Sequence, residues 1–407
     1  HTFFKLFDYS SAIKSVKKSI VLKEKDSLNL SFLAELYLAI NKYDFAISTL
    51  EEILIIEAKN TNALISLAKI YTEKGDFVKA EEYYFLALEC EPDNYGIYYE
   101  LIKLNNDNLT ENLIDKINLD NKKNKINHKN KIFSNLILAI SEKFKKNFKL
   151  EIKLLIDSHT NYLETKKIAA NQEWNYFSNL LPQFIKKTNA IDIKINDQIR
   201  PIFVMGLPRS GTTLVENIIT SGIKKLPTGG EVEAISKIFF SQNIIKNYDS
   251  KVLDTNFNFY KEDFELLKKK IIYQYDQIKL IDQNFSNTFT DKSLSNFLYI
   301  DIIRKIFPNA MFVYCRRNPL ANILGIIKNF LPDVLWSHSV EKTLKFIDLH
   351  YQKLDYEIKE ARKNFKVVDI QELSSNPREV SKELFNFLSL EWSDDCINLK
   401  NEKIIKT

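Results

Sequence analysis

The 407 residues of this chain exceed the usual size of one domain, so two domains are expected. Apolar residues make up 45%, enough for real cores, and the longest apolar runs fall well short of a membrane span. A net charge of +5 with lysine and glutamate interspersed argues against a nucleic-acid partner, and the three cysteines (Cys90, Cys315, Cys396) match neither a disulfide framework nor a metal-ligand spacing.

No metal is therefore expected, and a reducing cytoplasm is the simpler location. No signal peptide is visible. The chain begins at His1 instead of a methionine, so a removed targeting segment would not be seen.

The first third repeats itself. Leu67, Ala68, Tyr71, Ala80, Tyr84, Ala87 and Pro92 return, 34 residues earlier, as Leu33, Ala34, Tyr37, Ala46, Leu50, Ile53 and Ala58. Ala12 continues the series by one more step. Small residues are needed where paired helices approach closely, and large ones fill the space between successive pairs. The pattern resembles the tetratricopeptide repeat (TPR), clearest over 27–94. "IYYELIKL" and "FSNLILAISEKF" keep helical apolar spacing beyond it, so degenerate or capping repeats are expected to about 165. The basic run "NKKNKINHKNK" at 121–131 reads as a solvated connection. The array either supports the second domain or offers a concave face to a protein or peptide.

A helical junction and linker is expected over 166–198, with the domain boundary near 190–198 in the polar run before Pro201. "PIFVMG" then suits a buried parallel strand. "GLPRSGTT" at 206–213 follows, with Thr212–Thr213 opening a helix whose amino terminus is an anion seat. The spacing is that of a P-loop, but Thr212 stands where nucleotide triphosphatases carry lysine. That argues against a kinase or ATPase. Arg209 instead places a bidentate-capable charge inside the loop.

"PRSGTTLVENII" is similar to the 5′-phosphosulfate loop of sulfotransferases that use 3′-phosphoadenosine-5′-phosphosulfate (PAPS). That donor has no γ-phosphate, which accounts for the missing lysine. A second segment, 291–325, reads as a helix over 294–306, a turn at Pro308–Asn309, a strand Met311–Cys315, then "RRNP". The resemblance implies that Arg317 binds the 3′-phosphate. It also implies a serine eight residues later, where this chain has Gly325. "KKLPTGGEVEAI" resembles the Gly-Glu segment of bacterial TPR-sulfotransferases and protein-tyrosine sulfotransferases, and "KVVDIQELSSNPREVSKELFNFLSLEW" the family's strand–acidic loop–helix segment.

The resemblance therefore implies a TPR solenoid over 1–165 and an α/β P-loop-like domain with a central parallel sheet over 199–407. It implies Arg209, Ser210, Gly211, Thr212, Thr213 and Arg317 as donor-binding residues, with Arg209, Lys292 and Glu231 catalytic. Glu231 would be the acceptor base; its bland alternative is a residue stabilised at a helix start. Lys292 would stabilise the leaving oxygen, or else form a surface ion pair with Asp291. Glu233 and His338 are competing bases, and Cys315 reads as a buried strand residue. The implied acceptor is a hydroxyl on a protein tyrosine, a sugar or a small molecule. The alternative function is a catalytically silent TPR binding protein with a decayed PAPS site. "NLKNEKIIKT" resembles a stretch that continues into a lid, so a chain cut short near Thr407 is expected.

Overall fold

The computed structural model describes residues 9–22, 26–123, 125–189, 198–246, 260–281 and 287–398. The predicted boundary at 190–198 falls almost wholly outside these residues, as does most of "NLKNEKIIKT". The chain forms two compact units, divided between Lys167 and Ile168.

The first unit is entirely helical among its described residues: α1 (Tyr9–Leu22), α2 (Ser27–Ala39), α3 (Tyr43–Ile56), α4 (Thr61–Glu73), α5 (Phe77–Cys90), α6 (Tyr95–Leu104), α7 (Glu111–Lys122), α8 (His128–Phe144) and α9 (Phe148–Thr165). The periodic residues form its core. Leu67, Ala68, Ala80 and Ala87 are completely covered, as are Ala46 and Ile53 one repeat earlier. A second period lies in the caps. Asp26, Asn60 and Asn94 start α2, α4 and α6, and each side chain accepts a backbone N–H of the following turn. The intervals 60 − 26 and 94 − 60 are both 34 residues. Glu57 and Glu91 each brace the cap that follows, 2.7 Å from the amide nitrogens of Asn60 and Asn94. One capping side chain is worth roughly 1 kcal/mol, so the repeat is specified at its helix starts as well as its crossings.

The second unit is a parallel sheet flanked by helices. Its strands are β1 (Ile202–Gly206), β2 (Thr290–Asp291), β3 (Met311–Arg316) and β4 (Phe365–Asp369), in the order β2-β1-β3-β4. All pairings are parallel, with Phe203 beside Asp291 and Gly206 beside Cys315. β1 is buried throughout, as a strand covered on both faces must be. One face packs Phe203, Met205, Phe312 and Tyr314 against helical residues that include Tyr176, Leu181 and Phe184. The other packs Ile202, Val204 and Val313 against the helices Thr212–Thr220 and Pro377–Leu388. Residues before the predicted boundary thus belong to this core: Tyr176 also shares a 2.7 Å hydroxyl pair with Tyr299.

The segment expected as a helix over 294–306 begins as a 3₁₀ turn, Leu294–Tyr299, and becomes α-helical only at Ile300. Asp291 explains the tight start. Its carboxylate accepts from Ser293 N, Ser293 Oγ and Asn296 Nδ2, drawing the chain inward.

Candidate active site at the carboxyl ends of the strands

β1 ends at Gly206, and the chain turns through Leu207–Ser210 into the helix Thr212–Thr220, whose N-cap is Gly211. Gly211 has φ +85°, and a Cβ there would lie 2.9 Å from Ile370, so glycine is required. A Cβ on Gly206 would lie 2.3 Å from Ser210 Oγ. The missing side chain leaves room for that hydroxyl, which is buried and has no hydrogen-bond partner among the described residues. The Ser210 amide donates to Leu207 O at 3.1 Å, so this residue offers its hydroxyl where its amide was expected. The amides of Gly211, Thr212 and Thr213 open the helix, where backbone N–H groups lack intrahelical acceptors.

Arg209 takes a left-handed φ of 65°, uncommon for a side chain of its size. Two contacts hold it there. Arg317 Nη1 donates to Arg209 O at 2.8 Å, and Asn322 Nδ2 donates to Pro208 O at 2.9 Å. Asn322 lies on the helix Pro319–Lys328, completely buried. Tyr351 in turn donates to Arg317 O. Burial, and then the neighbouring Arg317 charge, lower the Arg209 pKa. Two guanidinium groups drawn together against their repulsion, beside an unsatisfied hydroxyl and a helix amino terminus, fit an anion with several acceptor oxygens.

The Gly-Glu segment reaches this point through β2. Thr228 bridges Thr290, Gly229 N donates to Thr290 O, and Lys292 N donates to Gly230 O. Glu231 and Lys292 are thereby set face to face, Nζ to Oε1 2.7 Å. Lys292 is nearly buried while Glu231 is half exposed. The surface pair of Lys292 with Asp291 is not formed. Asp291 is completely buried, also accepting from Tyr275 Oη at 2.6 Å, and burial raises its pKa despite these bonds.

Residues 201–394 match the sulfotransferase family, and residues 30–62 and 63–94 match the tetratricopeptide repeat. The second unit is a sulfotransferase-family domain. An uncharacterized protein of Aquifex aeolicus (strain VF5) is 30% identical over 234 residues, covering 51% of this chain and 28% of the relative. Tetratricopeptide repeat protein 21A of Mus musculus is 30% identical over 97 residues, 24% of this chain and 7% of that one. The chain therefore spans less than a third of either curated relative. The crystal structure of the Mycobacterium tuberculosis sulfotransferase STF1 aligns with a TM-score of 0.33 at 12% identity, over 67% of this chain and 85% of that one.

Beside the Glu231–Lys292 pair, the sulfotransferase domain holds a cavity of about 540 Å³, walled by Phe177, Leu298, Trp336 and Phe346 and reached by Glu231, Glu233 and His350. Glu233 has φ 53°, its N–H donates to Ser293 Oγ at 2.7 Å, and its Oε2 accepts from Ser236 and Ser295. Burial raises its pKa more than these hydroxyls lower it. His338 is buried with Nε2 2.9 Å from Leu331 O, and it does not line the cavity. His350 does, and burial lowers its pKa to about 3, so it is a neutral imidazole paired with Tyr314 Oη at 2.9 Å. Cys315 is a buried strand residue whose thiol pKa burial pushes up.

Gly325 packs on Arg209. A Cβ there would meet Arg209 Cβ at 3.1 Å, so the glycine in place of the expected serine makes room for the stem of the loop arginine. Sequence reasoning gave neither Asn322 nor His350 a role: Asn322 lies within the 291–325 segment but outside its matched positions, and His350 belongs to no motif. Their roles depend on contacts with Pro208 and Tyr314, 114 and 36 residues away.

Proposed function

We propose that this protein transfers a sulfuryl group from PAPS to an acceptor hydroxyl. The observation that carries the reading is the convergence of Arg209, Arg317, the unpartnered Ser210 hydroxyl and the Gly211 helix start. PAPS would supply an activated sulfuryl group on a phosphate leaving group. Arg209, Ser210 and the amides of Gly211–Thr213 would hold the phosphosulfate, and Arg317 the 3′-phosphate. Preorganised donors of this kind serve a charge that spreads during transfer. Glu231 would take the acceptor proton as the new S–O bond forms and the bond to the phosphate oxygen breaks. Lys292 would hold Glu231 in place and face the leaving oxygen with its charge. No metal role is assigned; among the described residues no group of His, Cys, Asp and Glu side chains is arranged to hold one.

The test is transfer of labelled sulfate from PAPS into a lysate of the source cell, with calorimetry of the adenosine 3′,5′-bisphosphate product. ATP bound as tightly as that product, or Mg-dependent ATP turnover, would sink the reading. Product binding with no labelled species would identify the silent binding protein instead.

The repeat array would supply recognition of a protein or peptide rather than chemistry. Removing residues 1–165 should leave product binding measurable while weakening a macromolecular acceptor. Unchanged rates for every acceptor would leave the array a scaffold. A reducing cytoplasm is proposed only on the sparse, odd set of three cysteines, of which Cys315 and Cys396 stand as buried free thiols. Among the described residues no helix is long and apolar enough to cross a membrane.

A further inference from the structure

We propose that the cavity beside Glu231 selects a hydroxyl acceptor whose apolar body carries an ammonium or guanidinium group, with Glu233 as the residue that recognises the positive charge. The inference rests on the sulfotransferase reading and names the acceptor class that reading left open. A cavity of about 540 Å³ with aromatic walls accommodates a small molecule with a ring or short chain, not a folded surface.

Its charges are unequal. Glu173, Glu231, Glu233 and Asp333 line it against one ammonium, that of Lys237. Two of the carboxylates are already answered. Glu231 meets Lys292, and Glu173 accepts the amides of Trp336 and Leu335. Glu233 is not. Its bonds from Ser236 and Ser295 come from neutral hydroxyls, and among the described residues no lysine or arginine forms an ion pair with it. Lys237, one helical turn on, is exposed, and it lowers the Glu233 pKa less than burial raises it, while the neighbouring Asp291 adds repulsion. A largely buried carboxylate with no cation is costly, and a cationic ligand relieves that cost.

Nor can Glu233 turn away. Its backbone keeps a left-handed φ of 53°, with the N–H tied to Ser293 Oγ, and strained conformations of this kind persist where the surroundings hold them. The exposed Asp333 adds a second negative charge on the way in. A neutral acceptor gains only the apolar walls. An acidic one faces two carboxylates, so a tyrosine in an acidic peptide segment is a poor fit.

Three phenols of similar size read the charge directly: tyramine, 4-ethylphenol and 3-(4-hydroxyphenyl)propionate. Each is titrated against the full chain by calorimetry and offered for sulfate transfer from labelled PAPS. A charge pair on the part-buried Glu233 predicts tyramine favoured over 4-ethylphenol by about tenfold, with the propionate weakest. Glu233→Gln should collapse the tyramine-to-ethylphenol ratio toward one. Equal affinities, or preference for the propionate, would overturn the proposal while transfer itself still upheld the sulfotransferase reading. The predicted order in binding with no transfer to any phenol would support the charge selection and count against the activity. The wild-type series decides the matter even should the variant fail to fold.

Discussion

In the repeat unit a residue's place follows from its neighbours one period away; in the sulfotransferase domain it follows from residues that only the fold brings near. Ala46 and Ala80 are both completely buried because each occupies the same crossing of its own helix pair. Lys292 meets Glu231 across 61 residues and Arg317 meets Arg209 across 108, and no period links them. The first kind of order tolerates error locally, since each repeat touches only its neighbours. The second concentrates its tolerance in a few contacts around one loop. Substitutions should therefore separate into those that cost stability and those that cost chemistry.

The largest separation is expected at Glu231. Glu231→Gln keeps size and hydrogen bonding but removes the base, so turnover should fall about 100- to 10,000-fold. Because Glu231 is half exposed, product affinity and unfolding midpoint should scarcely move. Stopped assays with labelled PAPS, alongside urea unfolding, check this. Near-normal turnover would return Glu231 to holding Lys292.

His350 should show the reverse, a cost in stability that depends on pH. Its imidazole takes a proton in the unfolded chain below about 6.5 but in the folded chain only near about 3. The folded pKa is the lower one, so its contribution is present in full above the unfolded value. It is lost as pH falls from about 6.5 toward about 3. At pH 4.5 the loss is on the order of 3 kcal/mol. Urea midpoints measured from pH 7 to 4.5 should fall more steeply for the wild type than for His350→Gln. Parallel slopes would mean the imidazole is hydrated on protonation without unfolding.

The third case sharpens the comparison from the repeat side. Ala80 is completely buried in α5, and Ala80→Leu forces three extra carbons into a filled crossing. Overpacking of this kind costs about 1–3 kcal/mol. The unfolding transition of the repeats should move down while calorimetric binding of the bisphosphate product stays as it was. A parallel loss of product binding would show the two units to be energetically coupled.

These contrasts also explain what could be read from the chain alone. The helical repeat was legible because buried small residues recur at one interval, and the β1 loop because Gly206 and Gly211 are required where a side chain would collide. The cap series Asp26, Asn60 and Asn94 carries the same period but hides among many asparagines. Only the alternative that paired Lys292 with Asp291 fails, because adjacency in sequence says nothing about which face of a strand is covered. Side chains alternate across a strand, and Asp291 points into the core. His338 looked as available as any histidine, yet its ring nitrogen is occupied by a backbone carbonyl. Such occupancy is decided by loops, where periodicity is silent.

The smallest expected effect, at Gly325, tests how stiff the loop is. From sequence, Gly325→Ser restores a hydroxyl donor and should tighten product binding by roughly tenfold, about one charge-assisted hydrogen bond. The contacts predict otherwise. The added Cβ would lie 3.1 Å from Arg209 Cβ, which is attached directly to the backbone and cannot swing aside like the end of a long side chain. That backbone is pinned by Arg317 and by Asn322, so the crowding must be absorbed by the loop itself. Gly325→Ala separates the two terms, since it adds the crowding without the hydroxyl. We expect Gly325→Ala to weaken bisphosphate binding by about three- to tenfold, roughly 1 kcal/mol of overpacking. Gly325→Ser should recover part of that loss without exceeding the wild type. A serine variant that binds product tenfold more tightly than the wild type would show that Arg209 gives way freely, and the left-handed turn at Arg209 would then be a soft element of the site.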